Sequence, residues 1–314
     1  MTTVSAVKLI QPGEIQSMPA DDTPLLVYPN VADLYKDRST RFAQLAKDHD
    51  LADWLQFCAQ LTAAQAVAIA EIDAGEALEE NFVRESLKHG VPPLSVSTWK
   101  AGEDWQKALQ AFITAYEKQE VQEPVKKVFA EFKKADAAEL AKQAQAYLTL
   151  DEAEVKPEWA PFIGAVLQLI WSKRAAAMTH AKIYSGENSL CPVCGSHPVT
   201  SVVRVGDRDS HRYLICSLCS SEWYGPRARC TNCDTPKEVT MLGETRESLV
   251  QGECCDDCGG YLKLMFQSRD PMMDPIADDL ATIQLDMALE KEGFQRTGRN
   301  LFLMAIAQSE KTDT

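Results

Sequence analysis

Four pairs of cysteines, each with the spacing Cys-x2-Cys, are the part of this sequence best suited to chemistry. They contain Cys191, Cys194, Cys216, Cys219, Cys230, Cys233, Cys255 and Cys258. Residues 195–215 separate the first two pairs and residues 234–254 separate the last two, so both intervals span 21 residues. Paired cysteines at this spacing are typical of tetrahedral sites for zinc or iron. The unit Cys-x2-Cys-x21-Cys-x2-Cys therefore occurs twice in tandem.

The repeat predicts how the eight thiols divide between two metal sites. A tetrahedral site made only of cysteines needs four ligands, and each repeat supplies four. The first predicted site contains Cys191, Cys194, Cys216 and Cys219, and the second contains Cys230, Cys233, Cys255 and Cys258. Thiolates suit both iron and zinc, so the ligands alone leave the metal open. Because four thiolates complete each site, neither site has a position for water or substrate, which argues against metal-centred hydrolysis.

Three other side chains near the repeats are alternative ligands. Cys254 could replace its neighbour Cys255, but only Cys255 keeps the 21-residue interval, so Cys254 is predicted to be a spare thiol. His197 and His211 could also bind a metal, although four thiols already complete each site. Reversible dithiols are the competing interpretation. A thioredoxin-like pair lies between a strand and a helix, however, and the pairs here adjoin short hairpins.

Each 21-residue interval is predicted to form a hairpin that brings its two cysteine pairs together. In the first repeat, residues 199–205 and 212–215 form the strands, around a polar turn. In the second repeat, residues 238–242 and 248–251 form the strands. The sequence therefore predicts two rubredoxin-like or zinc-ribbon-like modules.

The residues that directly follow the cysteine pairs predict tight turns at two of them. Gly195 and Gly259 can turn sharply and direct main-chain N–H groups at the thiolate sulfurs. Ser220 and Asp234 occupy the other two positions. Half of the pairs therefore lack a glycine at the turn.

The residues before the cysteines predict an all-helical domain. From about residue 31 to residue 184, apolar residues recur at helical spacing, and prolines separate the segments. The last helix of this region is predicted to begin near Trp159 and to end at Ser185–Gly186. A further helix follows the cysteines, with Asp274 as its cap and Gly293 at its end.

Cys58 and the histidines of the helical region suggest a catalytic Cys/His pair as an alternative. The histidines are His49, His89 and His180. Cys58 lies on the apolar face of a predicted helix, where a thiol usually behaves as a small buried hydrophobe. His49 lies in a charged run typical of a solvated helix end. We therefore expect no catalytic role for this pair and predict that the protein is not an enzyme.

The composition favours protein partners over nucleic acid and argues against membrane insertion. The 314 residues contain 32 lysines and arginines against 46 aspartates and glutamates, a formal net charge of −14. Residues 191–258 contain 7 basic and 10 acidic side chains, whereas nucleic-acid-binding ribbons usually carry a basic face. No apolar stretch is long enough to span a membrane, and the first residues lack the pattern of a secretory signal. We expect a cytoplasmic protein.

The cysteine repeats and the residues after them resemble the formate dehydrogenase accessory protein family, FdhE. The resemblance rests on CPVCGSHPV, RYLICSLCSSEWYGPRARCTNC, CDDCGGYLK and RDPMMDPIADDLATIQLDMALEKEGF, within residues 187–296. It implies a helical domain joined to two rubredoxin-like modules, with iron as the metal. It also implies a cytoplasmic role in making respiratory formate dehydrogenase active, through binding of that enzyme's catalytic subunit before export.

These features predict an α+β chain with four parts. The parts are a helical domain at residues 1–186, a first metal module at 187–229, a second metal module at 230–270, and a C-terminal helix and tail at 271–314. The expected function is that of a formate dehydrogenase accessory factor with one iron, or alternatively one zinc, in each site. A rubredoxin-like electron-transfer protein and, with less support, a nucleic-acid-binding zinc ribbon protein are the alternatives.

Overall fold

The computed structural model describes residues 23–303, apart from residues 77, 179–188, 209, 228 and 237–238. Within those residues, seven α-helices precede the cysteine repeats. They are α1 (Leu34–Leu45), α2 (Ala52–Ala68), α3 (Glu80–Lys88), α4 (Glu103–Tyr116), α5 (Glu123–Lys134), α6 (Ala137–Thr149) and α7 (Ala160–Ala176). Two more helices, α8 (Pro275–Ala281) and α9 (Ile283–Lys291), follow the cysteines. The helices predicted before the repeats are therefore present.

The strands of the described chain form one mixed sheet. They are β1 (Leu26–Val27), β2 (Pro198–Val203), β3 (Arg212–Cys216), β4 (Glu222–Tyr224), β5 (Val239–Leu242), β6 (Val250–Cys255), β7 (Gly260–Phe266) and β8 (Gln295–Arg296). Their order is β1-β4-β3-β2-β7-β6-β5, and β8 pairs with β7. The hairpins β2–β3 and β5–β6 correspond to the two predicted ones, although Asp209 and Glu238 lie outside the described residues. Helices with a separate sheet confirm the α+β class.

Helix α7 forms the centre of the helical domain. Fourteen of its 17 residues are buried, a pattern typical of a helix with protein on every side. Helices α2, α4 and α6 pack around it, and Phe162 contacts the rings of Phe57 and Phe129. α7 ends at Ala176, whereas the predicted end at Ser185–Gly186 lies outside the described residues. No helix in the described part of the chain has the length and apolar character of a membrane span.

The two cysteine repeats do not form separate sheets. β2 of the first repeat pairs in parallel with β7, which follows the last cysteine pair, in a register that runs from Ser201–Leu264 to Val203–Phe266. The sequence prediction missed β7, although its residues YLKLMF are of the aromatic and apolar types favoured in strands. The hairpins of the two predicted tandem modules therefore share one sheet.

The chain before α1 belongs to the sheet, so the N-terminal part is not wholly helical. Leu26 and Val27 pair with Trp223 and Glu222 of β4. In addition, Tyr213 Oη donates to a main-chain carbonyl oxygen just before β1, at 2.7 Å. A strand of two residues is too short for alternation to reveal it. The expected all-helical domain is therefore corrected to a helical domain preceded by one short strand.

The C-terminal helix is interrupted at Thr282, where the sequence predicts that it continues to Gly293. Lys263 Nζ, from β7, donates to the main-chain carbonyls of Asp279 and Thr282 at 2.8 and 3.0 Å. Thr282 Oγ1 also donates to the carbonyl of Asp278 at 2.8 Å. These bonds satisfy carbonyl groups that the end of a helix leaves without intrahelical partners. A contact across the fold, rather than a local breaker residue, therefore divides the helix.

Two ion pairs tie the helical domain to α8. Asp274 caps α8 as predicted, because its side chain accepts from two main-chain N–H groups of the first turn. It also accepts from Arg38 of α1 at 3.1 Å, and Arg41 lies 2.5 Å from Asp278. α8 in turn packs against β2. The helical domain is thereby connected to the middle of the sheet.

A buried network of four charges joins β7 to α8, α9 and β8. Lys263 Nζ lies 2.5 Å from Asp286 and 3.4 Å from Asp279, and Arg296 lies 2.7 Å and 2.6 Å from the same carboxylates. The side chains of Lys263 and Asp279 are 0% exposed. Burial by itself raises the pKa of Asp279, but Arg296 and Lys263 outweigh it and lower that pKa. Each buried charge therefore depends on its partners for compensation.

Removal of one charge from this network should destabilise the fold strongly. Asp279→Ala leaves Lys263 and Arg296 with one carboxylate between them, and we expect it to lower the free energy of unfolding by about 3–5 kcal/mol. Glu117→Ala is the control, because its ion pair with Lys133 is exposed on both sides, and it should cost less than about 1 kcal/mol. Urea unfolding followed by circular dichroism measures both values. Equal effects in the two variants would contradict the importance of the network.

Candidate metal centres

The structure brings the four thiols of the first repeat together in a buried group. The Sγ atoms of Cys191 and Cys219 lie 3.6 Å apart, and those of Cys194 and Cys216 lie 3.5 Å apart. All four sulfur atoms lie within 4.8 Å of one another, and all four residues are buried. The hairpin β2–β3 produces this group, because it returns the chain to the first cysteine pair.

The thiols of the second repeat form a second group of similar dimensions. The Sγ atoms of Cys230 and Cys258 lie 3.7 Å apart, and those of Cys233 and Cys255 lie 3.8 Å apart. These four sulfur atoms also lie within 4.8 Å of one another. Cys230 and Cys255 are buried, but Cys233 and Cys258 are exposed. The second group thus has dimensions like those of the first but is more exposed to solvent.

Both groups have the dimensions of a tetrahedral metal–thiolate site. With metal–sulfur bonds of about 2.3 Å, sulfur atoms at the corners of a tetrahedron lie about 3.8 Å apart. In each group the two closest pairs of sulfur atoms lie 3.5–3.8 Å apart, which is close to that value. These distances are far longer than the roughly 2.05 Å of a disulfide. The residues therefore fit a four-coordinate metal ion, and both iron and zinc are compatible with them.

The backbone is alike after all four cysteine pairs. Gly195 and Gly259 have φ angles of 77° and 68°, and Ser220 and Asp234 have φ angles of 58° and 61°. The sequence separates two turns with glycine from two without it, yet the same left-handed conformation occurs at each. Aspartate accepts this conformation more readily than most residues. The absence of glycine therefore does not mark a different turn.

Hydrogen bonds to sulfur support the thiolate form in both groups. The main-chain N–H groups of Leu218 and Cys219 donate to Cys216 Sγ at 3.4 and 3.3 Å. In the second group, Asn232 Nδ2 lies 3.7 Å from Cys258 Sγ and donates to it. Donors of this kind stabilise negative charge on a ligand sulfur. Main-chain N–H groups and the side chain of Asn232 thus support the ligand sulfur atoms.

The thiols within each group differ in acidity. Burial raises the pKa of Cys191 and of Cys194 well above the usual range. Burial acts in the same direction on Cys219, but hydrogen bonds from the other three thiols outweigh it and hold the pKa of Cys219 well below the usual range. The pKa of Cys258 is lowered to about 7, because hydrogen bonds, that of Asn232 foremost, outweigh burial. Because a metal ion requires thiolates, its binding displaces protons from the remaining thiols.

Residues of the helical domain hold the first group in place. The main-chain N–H of Leu94 donates to the Val193 carbonyl at 2.9 Å, and Trp171 Nε1 of α7 donates to the Leu94 carbonyl at 2.9 Å. Gln168 Nε2, also on α7, donates to the carbonyl of Ser217 at 2.8 Å. Sequence reasoning missed these supporting residues. They lie far from the cysteines along the chain and carry no metal-binding side chain.

Cys254 lies apart from the second group. Its side chain is fully buried and packs with Tyr261 and Leu289. Successive side chains of a strand point to opposite faces, so Cys254 and Cys255 of β6 face apart. Burial, reinforced by nearby carboxylates, raises the pKa of Cys254 to about 12. This placement matches the spare thiol predicted from the spacing.

The other candidate side chains lie outside both thiol groups. Burial lowers the pKa of His197, while His211 packs against a tyrosine ring, and neither belongs to either group. Cys58 is 0% exposed, and burial raises its pKa well above the usual range. His49 Nε2 lies 2.9 Å from a main-chain carbonyl oxygen of α8, and His180 lies outside the described residues. The described part of the chain therefore offers no support for a Cys/His pair.

Comparison with known families gives matches along nearly all of the described chain. The N-terminal model of FdhE matches residues 23–186, the model of the FdhE central domain matches residues 190–227, and the model of the FdhE C-terminal domain matches residues 228–303. The first two of these segments meet close to the first cysteine pair. The central segment contains the first thiol group, and the C-terminal segment contains the second.

Individual relatives match over a similar extent. The chain is 37% identical over 294 residues to Protein FdhE homolog of Enterobacter sp. (strain 638), across 93% of this chain and 94% of that protein. It is 38% identical over 287 residues to Protein FdhE homolog of Yersinia enterocolitica, across 90% and 92% of the two chains. The crystal structure of the FdhE protein from Pseudomonas aeruginosa superimposes with a TM-score of 0.79 at 30% identity, covering 89% of this chain and 98% of that one. The chain therefore belongs to the FdhE family.

Proposed function

We propose that this protein is an accessory factor that makes respiratory formate dehydrogenase active. In this role it binds the catalytic subunit of that enzyme in the cytoplasm, before the subunit is exported. The observation that carries the proposal is membership of the FdhE family along nearly the whole described chain. The resemblance of the cysteine repeats to that family implies this role.

The chemistry of the cysteine groups supports action on a protein partner rather than catalysis of a small-molecule reaction. Four protein thiolates complete a tetrahedral site, which leaves no coordination position for water or substrate. Cys58, the thiol of the helical domain, is buried and has a raised pKa, so it is a poor nucleophile. The proposed factor therefore works by binding and is not itself an enzyme.

We further propose that each thiol group holds one metal ion. The ligands are Cys191, Cys194, Cys216 and Cys219 in the first site, and Cys230, Cys233, Cys255 and Cys258 in the second. The family resemblance favours iron, with zinc as the alternative. Iron in such a site supplies one-electron redox chemistry, whereas zinc supplies a structural crosslink. Metal analysis of protein purified without oxygen decides between the two.

Electron transfer through redox-active iron is the second candidate function. The exposure of Cys233 and Cys258 favours it, because it brings the second group to the surface where an electron partner can approach. A coloured protein that bleaches reversibly on reduction would support this function, and a protein that stays colourless after oxidation would exclude it. Nucleic-acid binding has less support, since the chain carries a net charge of −14.

Replacement of one ligand in the first group should remove one metal ion only. We expect Cys191→Ser to lower the metal content by about one equivalent per chain, because each site takes all four ligands from its own repeat. Plasma mass spectrometry measures the metal, and circular dichroism checks the fold. Loss of both metal ions from a folded variant would mean that the repeats share ligands.

Cys254 and Cys255 provide a matched pair of variants, since they are neighbours of the same residue type. Cys254→Ser should retain two metal ions, because its thiol packs with Tyr261 away from the second group. Cys255→Ser should lose the metal ion of the second site. The same metal analysis measures both. If Cys254→Ser lost the metal ion and Cys255→Ser retained it, the ligand would be Cys254 and not Cys255.

The proposed cellular role is tested by deletion of the gene. We expect the formate dehydrogenase polypeptide to persist in the deletion strain while formate oxidation by its membranes becomes low. The wild-type gene and the Cys254→Ser variant should restore the activity, and Cys230→Ser should not. Normal formate oxidation in a deletion strain that needs this enzyme and has no second copy of the gene would contradict the role.

Physical contact with the partner requires a separate measurement. A tagged catalytic subunit of respiratory formate dehydrogenase should co-purify with this protein from cell extract. A tagged subunit of an unrelated exported enzyme serves as the control. Equal recovery with both would count against a specific interaction, even if the deletion lowered the activity.

A further inference from the structure

The two thiol groups differ in how far solvent reaches them. The four cysteines of the first group are at most 1% exposed. In the second group, Cys233 and Cys258 are exposed at the surface. In both groups the two closest pairs of sulfur atoms lie 3.5 to 3.8 Å apart, and all four sulfur atoms lie within 4.8 Å of one another. The groups therefore share a ligand geometry and differ in access to it.

The first group is enclosed because it belongs to the main hydrophobic core. The N–H groups of Leu94 and Val96 donate to the carbonyls of Val193 and Cys194, each at 2.9 Å. Gln168 of α7 adds a third bond from the helical domain, to the loop between the last two ligands of this group. These contacts hold the helical domain over the first group, whose cysteines are at most 1% exposed.

The second group lies near the edge of the sheet that is formed by β5. Its hairpin β5–β6 contains that strand. A cavity of about 190 Å³ opens beside Cys230 and is lined in part by Arg212 and Arg229. These guanidinium groups are paired with Glu253 at 2.6 Å and with Asp234 at 2.7 Å, so the cavity is not a site for a free anion. Of the four cysteines of the second group, Cys230 lines this cavity.

We propose that the two sites have different tasks: the first holds a structural metal ion that stays in place, and the second exchanges its metal ion with solution. The exchange proceeds through the exposed side formed by Cys233 and Cys258. The exchangeable ion is a divalent ion that prefers thiolates, such as zinc or ferrous iron. This inference rests on the proposed ligand assignment. It identifies the second site as the one that a partner or chelator can reach.

The physical basis is the way in which a competing ligand removes a metal ion. One metal–sulfur bond breaks, a donor atom of the competitor forms a bond to the metal in its place, and the released thiolate takes up a proton from water. Each step needs room for the competitor beside the metal. Two of the four cysteines of the second group are exposed, whereas all four of the first group are buried.

Chelator competition on the full chain tests this division. The protein is loaded with two equivalents of zinc and mixed with an excess of a chromophoric chelator, and zinc release is followed by absorbance. We expect two phases of about one equivalent each. Their rates should differ by roughly tenfold or more, the scale on which the surroundings of the ligands alter metal binding.

Two variants assign the phases. Cys258→Ser should abolish the fast phase, retain the slow phase and leave the melting temperature almost unchanged. Cys219→Ser should abolish the slow phase and lower the melting temperature, because it disrupts a site within the core. If Cys219→Ser fails to fold, the result with Cys258→Ser alone decides the assignment.

The possible outcomes separate this inference from the ligand assignment on which it rests. Two equivalents of zinc released in a single phase, or a slow phase lost in Cys258→Ser, would overturn the division of tasks and leave the two sites in place. Failure to retain either zinc or ferrous iron would overturn both. Neither result bears on co-purification with the formate dehydrogenase subunit, which tests the proposed cellular role.

Discussion

The parallel pairing of β2 with β7 is the constraint that sets where the two thiol groups lie relative to each other. β2 leads away from the first cysteine pair and β7 follows the last, and the two strands pair from Ser201–Leu264 to Val203–Phe266. Parallel neighbours cannot be joined by a tight turn, so these strands come from distant parts of the chain. Their pairing turns two hairpins into one sheet. It also places the first group beside the centre of the sheet and the second toward its end.

Buried charges secure this arrangement to the surrounding helices. Lys263, on β7, contacts the carboxylates of Asp279 and Asp286 and two carbonyls at the end of α8. Arg38 and Arg41 connect α1 to α8 in the same way. A charge in such a place is costly without its partner, so these contacts favour one docking geometry over others. The helical domain thus covers the first thiol group in a defined position.

The burial of each thiol group limits what that group can contribute to the proposed role. A site completed by its own four thiolates contributes through stability, redox chemistry or metal exchange rather than through substrate coordination. In this member of the FdhE family, one such site is surrounded by core and the other faces solvent at two cysteines. The protein therefore presents one thiol group to solvent and encloses the other.

The sequence by itself determined the class of the fold, most helices, the two hairpins and the division of eight cysteines into two groups, because these features depend on local spacing. Helical periodicity, the Cys-x2-Cys pairs and the cap at Asp274 act within a few residues. Only the tertiary structure decided the pairing of β2 with β7, the break at Thr282 and the support of the first group by Gln168. Those features join residues far apart in the chain. The difference in exposure between the groups has the same origin, since two repeats of the same cysteine spacing differ in exposure because the helical domain covers the first.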